Sequence, residues 1–66
     1  MKLTVNGKPV ELPDGSTVAA LLGHLAIEPA KVAIERNQDV IPRRTWAEAR
    51  LENGDQIEIV TFVGGG

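Results

Sequence analysis

The residues with most to offer chemically are the last three, Gly64, Gly65 and Gly66, which follow directly on the apolar run from Ile57 to Val63. Glycine has no Cβ and accepts either sign of φ, so such a tail takes whatever shape a narrow channel imposes. Extended, three residues reach about 10 Å beyond the strand that carries them. The reactive group at its tip is an α-carboxylate, a poor electrophile until it is converted to an acyl phosphate or acyl adenylate. That conversion belongs to a partner enzyme supplying ATP and a metal ion, after which a nucleophile can take the acyl group. A solvated chain end or a shortened linker has the same composition, so the elements upstream must decide between the two.

Other constellations are weaker. His24 is the single histidine and falls on the face of a predicted helix opposite its leucines, where a solvated role is expected. With no cysteine, the chain offers neither a thiol nucleophile nor a thiolate zinc site, and no metal site is expected. Asp14-Gly15-Ser16 does not match a nucleophile elbow, and no glycine-rich loop opens a helix with phosphate-binding spacing. The acidic residues are dispersed and read as solubilising charge. Arg43-Arg44 is the one adjacent basic pair; it suits a partner's carboxylate or phosphate, or plain surface charge. No catalytic side chain of its own is therefore expected.

The chain has 66 residues and a formal net charge of −2, enough for one domain with a small core and no staples. It lacks a basic stripe, and Trp46 and Phe62 are its only aromatic residues, so nucleic-acid binding is not expected. Its start lacks a signal peptide's apolar stretch, and no run approaches the ~20 apolar residues of a membrane span. A cytoplasmic, membrane-free protein is the expectation.

The elements that must position the tail follow in order. Leu3 and Val5 alternate with polar neighbours, Asn6-Gly7 suits a type I′ turn, and Val10 and Leu12 resume the alternation, giving a hairpin. Pro9 puts its second strand at or near an edge. After Pro13-Asp14-Gly15, Ser16 or Thr17 caps a helix whose stripe is Val18, Leu21, Leu22 and Leu25; Gly23 weakens it and Pro29 lies beyond its end. Val32 and Ile34 alternate in a third strand that ends at Arg36-Asn37, and Val40-Ile41, after the turn Asn37-Gln38-Asp39, is a short fourth. Thr45 to Ala49 is predicted to make one helical turn capped by Thr45, with Trp46 over an end of the core. Asn53-Gly54-Asp55 turns into the last strand, Gln56 to Phe62. The class is α+β: a mixed sheet of four to five strands with one main helix across one face. If Ile57 and Ile59 face the helix, then Val60 and Phe62 are exposed beside the tail and suggest a docking surface with Val63. Alternatively Phe62 folds over the core edge.

The whole chain resembles the small sulfur-carrier proteins of thiamine biosynthesis, which are ubiquitin-like β-grasp proteins. The resemblance runs through Leu3-Thr4-Val5-Asn6-Gly7, Thr17-Val18 with Leu21-Leu22, Val32-Ala33-Ile34-Glu35-Arg36-Asn37, Val40-Ile41-Pro42-Arg43 with Trp46, Asn53-Gly54-Asp55-Gln56-Ile57-Glu58-Ile59-Val60, and Phe62-Val63-Gly64-Gly65-Gly66. It implies a β-grasp domain over 1–63 and a flexible glycine tail over 64–66. It further implies that a ubiquitin-activator-like adenylating enzyme, using ATP, adenylates the Gly66 carboxylate. Sulfur from a persulfide donor then gives a Gly66 thiocarboxylate, which thiazole synthase uses to build the thiamine thiazole. No permanently bound cofactor is implied. Other classes end similarly: the small subunit of molybdopterin synthase, a ubiquitin-like modifier of lysines, and an interaction domain whose glycines have no role.

Overall fold

The turn at Asn6-Gly7 sets the sheet's first pairing. Both residues hold positive φ, 49° and 80°, the left-handed pair that a type I′ turn requires. It joins β1 (Lys2–Val5) to β2 (Lys8–Glu11) with Leu3 opposite Val10. The computed structural model describes residues 1–62, and Val63, Gly64, Gly65 and Gly66 lie outside the described residues.

Helix α1 (Val18–His24) follows, then β3 (Val32–Arg36), β4 (Asp39–Val40) and β5 (Gln56–Thr61), with single 3-10 turns at Pro29–Lys31 and Arg43–Thr45. The strands form one sheet in the order β2-β1-β5-β3-β4. Among the described residues only β1 and β5 run parallel, so the sheet is mixed as expected, and Pro9 sits on an edge strand where its missing N–H costs no ladder bond.

At seven residues α1 is too short to persist alone, and its ends are closed by other parts of the chain. The N–H groups of Val18 and Ala19 donate to the carbonyls of Ala49 and Trp46, both at 3.0 Å. Thr17 is the N-cap, its Oγ1 accepting from the Ala20 N–H at 3.1 Å. At the other end the Ile27 N–H donates to the Leu22 carbonyl and the Ala26 N–H to the Gly23 carbonyl, a Schellman closure. Its left-handed position is taken by Ala26, with φ of 56°, where glycine is usual.

The apolar stripe of α1, Val18, Leu21 and Leu22, is buried against Leu3, Val5, Val32, Ile34, Ile57 and Ile59 of the sheet. Leu12, Trp46 and Leu51 close the ends of this core. Leu51 was not legible as a core residue, because it stands in a polar stretch; the Leu51 N–H donates to the Ser16 carbonyl at 2.8 Å and places it there.

Three boundaries differ from expectation. A 3-10 turn at Arg43–Thr45, with Pro42 as its N-cap, comes before the expected turn, and the Ala49 N–H then donates to the Thr45 carbonyl at 2.7 Å to close Thr45 to Ala49. Thr45 Oγ1 donates back to the Pro42 carbonyl at 2.7 Å instead of capping a later helix. The fourth strand spans Asp39–Val40, with the Ile41 N–H still donating to the Ile34 carbonyl. The last strand stops at Thr61, one residue short of Phe62.

The turn between β3 and β4 is a second left-handed pair, Asn37 at φ 51° and Gln38 at φ 73°. Gln38 and Ala26 each carry a Cβ where its clash with the backbone costs roughly 1–2 kcal/mol. Gln38→Gly and Ala26→Gly are each expected to stabilise the protein by about 1 kcal/mol, seen as a melting temperature ~4–8 °C higher in a thermal scan. A fall in melting temperature for either would show that the side chain, not the backbone, dominates there.

Candidate functional site

The strand that leads to the glycines lies in the middle of the sheet. On one side β5 pairs with β3, from Arg36 opposite Ile57 to Val32 opposite Thr61. On the other it pairs with β1 only at Thr4–Gln56 and Val5–Ile57, after which β1 turns away. One further rung is made by a side chain. The carboxamide of Asn6 accepts from the Ile59 N–H at 2.7 Å and donates to the Ile59 carbonyl at 3.1 Å, as a strand residue would. The Asn6 N–H itself donates to the Ile57 carbonyl at 2.9 Å. Asn6 therefore serves both the hairpin turn and the exit of β5. Sequence reasoning found the first role, whereas the second depends on parallel pairing that local sequence does not reveal.

Alternation along β5 buries Ile57 and Ile59 and turns Glu58 and Val60 to the outer face. Val60 and Phe62 are 52% and 55% exposed, so Phe62 does not fold over the core edge. Its N–H donates to the Lys31 carbonyl at 2.9 Å, which carries the backbone along β3 to the last described residue. Among the described residues Val40 on β4, 69% exposed, is the remaining large apolar side chain left outside. Val60 and Phe62 thus stand where the sequence placed them. Val63, Gly64, Gly65 and Gly66 lie outside the described residues.

The start of β5 is held by a polar junction that sequence reasoning did not single out. Asp55, 6% exposed, accepts from Arg36 Nε at 2.8 Å, from Asn37 Nδ2 at 3.1 Å and from the Glu52 N–H at 2.8 Å. Asn37 Oδ1 accepts in turn from the Gln56 N–H at 2.9 Å. Among the described residues no buried side-chain nitrogen or oxygen lacks a partner. The signal was present as Asn53-Gly54-Asp55, but it read only as a turn.

Arg43 is not plain surface charge. Its guanidinium donates to the Pro29 and Val32 carbonyls and lies 4.7 Å from the centroid of Trp46, whose Nε1 donates to the Ile41 carbonyl at 2.9 Å. It fastens the loop after β4 to the start of β3. Arg44 and His24 are exposed, and with the first N–H groups of α1 all bonded internally, that helix end offers no anion site. Among the described residues no three His, Cys, Asp or Glu side chains gather as metal ligands, and no helix is long and apolar enough to cross a membrane.

A five-stranded mixed sheet clasping one helix, with its final strand central, defines a ubiquitin-like β-grasp domain. The family model described as "ThiS family" matches residues 3–66, and the chain belongs to that family. It is 42% identical over 65 residues to the sulfur carrier protein ThiS of Bacillus subtilis, covering 97% of this chain and 98% of that one. It superposes on the crystal structure of the thiamine biosynthesis protein ThiS of Geobacter metallireducens with a TM-score of 0.85 at 35% identity, each chain covered in full. It is also 44% identical over all of its 66 residues to a protein named thiazole synthase from Paramagnetospirillum magneticum, of whose length it spans 20%.

Removing an exposed side chain leaves the core intact, whereas removing a buried one leaves a cavity. Phe62→Ala is expected to hold stability within about 0.5 kcal/mol, and Ile59→Ala to cost ~2–5 kcal/mol, both read from urea unfolding. Asn6→Ala strands the N–H and carbonyl of Ile59 and is expected to cost about 1–3 kcal/mol. A Phe62 variant as unstable as the Ile59 variant would place the ring in the core after all.

Proposed function

We propose that this chain is a sulfur carrier of thiamine biosynthesis, and that the Gly66 carboxylate is the group it presents. The observation that carries this reading is the position of β5: a central, doubly anchored strand with exposed Val60 and Phe62 at its end, followed in the sequence by Val63, Gly64, Gly65 and Gly66. Membership of the ThiS family supports it.

In this reading the domain is a handle and co-substrate, and its partners do the chemistry. An adenylating enzyme related to ubiquitin activators attacks the α-phosphorus of ATP with a Gly66 carboxylate oxygen, expelling pyrophosphate and leaving an acyl adenylate. A persulfide sulfur then attacks the carbonyl carbon with loss of AMP. Reductive cleavage of the sulfur–sulfur bond by a thiol releases the Gly66 thiocarboxylate. Thiazole synthase takes that sulfur into the thiamine thiazole. The match to a protein named thiazole synthase supports the last partner, since in that protein a segment similar to this chain belongs to the same polypeptide. ATP acts at the enzyme, and no cofactor resides in the carrier. The glycines have no side chains, so backbone alone enters the two active sites, with Val60, Phe62 and Val63 left to dock. We place the cycle in the cytoplasm, where ATP and thiol-derived sulfur are supplied.

Intact mass spectrometry after incubation with ATP, a sulfur source and the adenylating enzyme tests this. The expected result is replacement of one oxygen by one sulfur, localised to Gly66. Gly65→Ala and Gly66→Ala are expected to fold normally and convert more slowly, and a residue added after Gly66 is expected to abolish conversion. An unmodified mass where another carrier is converted would overturn the reading, and high-mass conjugates in cells would favour a lysine modifier.

A further inference from the structure

The sheet narrows where β5 ends. On the hairpin side, β1 pairs with β5 only as far as Val5 opposite Ile57. On the other side, β4 covers β3 at Glu35 and Arg36, with the Ile41 N–H adding a bond to the Ile34 carbonyl before Pro42 stops the strand. The first residues of β3 therefore lie beyond the reach of β4. Those residues hold the last rungs of β5: Val32 lies opposite Thr61, and the Lys31 carbonyl accepts from the Phe62 N–H at 2.9 Å.

Arg43 takes the place of the missing strand. Its Nη2 donates to the Val32 carbonyl at 2.9 Å, two residues back from Ile34 and on the same side of β3, and its Nη1 donates to the Pro29 carbonyl. The two carbonyls flank Lys31. Little else fixes the turn Pro29–Lys31, which buries none of its residues and whose N-cap, Glu28, makes no side-chain bond to it. The Lys31–Glu28 ion pair is exposed at both ends and contributes little. The guanidinium is itself set against the Trp46 ring, a buried part of the core. A line of contacts thus runs from Trp46 through Arg43 and the backbone of Pro29, Lys31 and Val32 to Phe62.

We propose that Arg43 is a positioning residue for the carrier's reaction. It holds the last rung of β5, so that the segment following Phe62 in the sequence sets out from a fixed point. The assignment rests on the function proposed above, and Arg43 acts through the Lys31 carbonyl, not on the Gly66 carboxylate. With the rung intact, the strand end is ordered when the domain folds. Without it, an enzyme that takes up the chain end must restore that order on binding, which weakens binding and leaves the chemistry alone.

The test joins amide hydrogen exchange of the full chain to its steady-state conversion by the adenylating enzyme, with thermal melting of each variant. Arg43→Ala is expected to speed exchange of the Phe62 N–H about tenfold while leaving that of Leu3 slow. It is also expected to raise KM for the carrier about three- to tenfold with kcat unchanged. Arg43→Lys keeps the charge but loses the fork that reaches two carbonyls, so it should show most of the same KM rise. It also carries the test if Arg43→Ala does not fold. Asn53→Ala removes the bond from the Lys2 N–H at the opposite end of β5 and is the control, expected to melt lower with KM unchanged. A wild-type KM in Arg43→Lys would make charge the role and overturn the proposal. So would faster Phe62 exchange with unchanged KM, or an Asn53→Ala chain whose KM rises as far, and the carrier reading would survive either result. A wild-type chain that is never converted would overturn the carrier reading itself.

Discussion

Everything in this fold depends on placing the last strand in the middle of the sheet. β5 separates the hairpin β1–β2 from the pair β3–β4, so the two halves become one sheet only when it arrives. Its pairing with β1 is parallel, which no tight turn can supply and which closes a long stretch of chain. The fold compensates at both ends of that short contact. At the start, Asp55 ties Arg36, Asn37 and the Glu52 N–H into one junction, and the Thr4 N–H donates to the Asp55 carbonyl at 3.0 Å. At the exit, the Asn6 carboxamide takes both backbone groups of Ile59. Charged and amide side chains thus do what further ladder bonds would do in a longer strand.

The helix is the complementary case, a weak element made firm by its surroundings. Its seven residues include Gly23, and its C-terminal closure puts Ala26 where glycine fits better. What holds it is burial of Val18, Leu21 and Leu22, together with the segment from Trp46 to Leu51, which supplies carbonyls to its first turn. That segment is anchored by Trp46 and by Arg43, whose guanidinium spans from the indole to the carbonyls of Pro29 and Val32. Irregular chain between β4 and β5 is in this sense the second wall of the core.

Alternation and turn chemistry made most of this legible in the sequence. The hairpin at Asn6-Gly7, the stripe of α1, the inward Ile57 and Ile59 and the outward Val60 and Phe62 all follow from local period and local φ demands. Illegible were the features created by distant segments meeting. Asn6 bonds Ile59 because β1 and β5 are neighbours, Arg43 reaches the Pro29 and Val32 carbonyls because the loop after β4 folds back on β3, and Leu51 is buried where its N–H meets the Ser16 carbonyl. Gln38 was missed for another reason: its left-handed φ is imposed by a two-residue turn that its side chain does not favour.

The distribution of strain and satisfaction separates the two faces of the sheet. On the helix side, apolar residues are buried and the polar groups at the margins are paired: Asp55, Asn6 and the first turn of α1 each have partners within the chain. On the outer side, among the described residues, stand features that the fold gains nothing from, the exposed Val40, Val60 and Phe62 and the glutamates Glu35 and Glu58 opposed across adjacent strands. A sequence shaped by folding alone would replace Glu58 with threonine or lysine and Phe62 with a polar residue, at no cost to the core. Departures from local consistency gather where a protein meets something else. Here they gather on β3, β4 and β5, the rows nearest the segment that runs on in sequence to Gly64, Gly65 and Gly66.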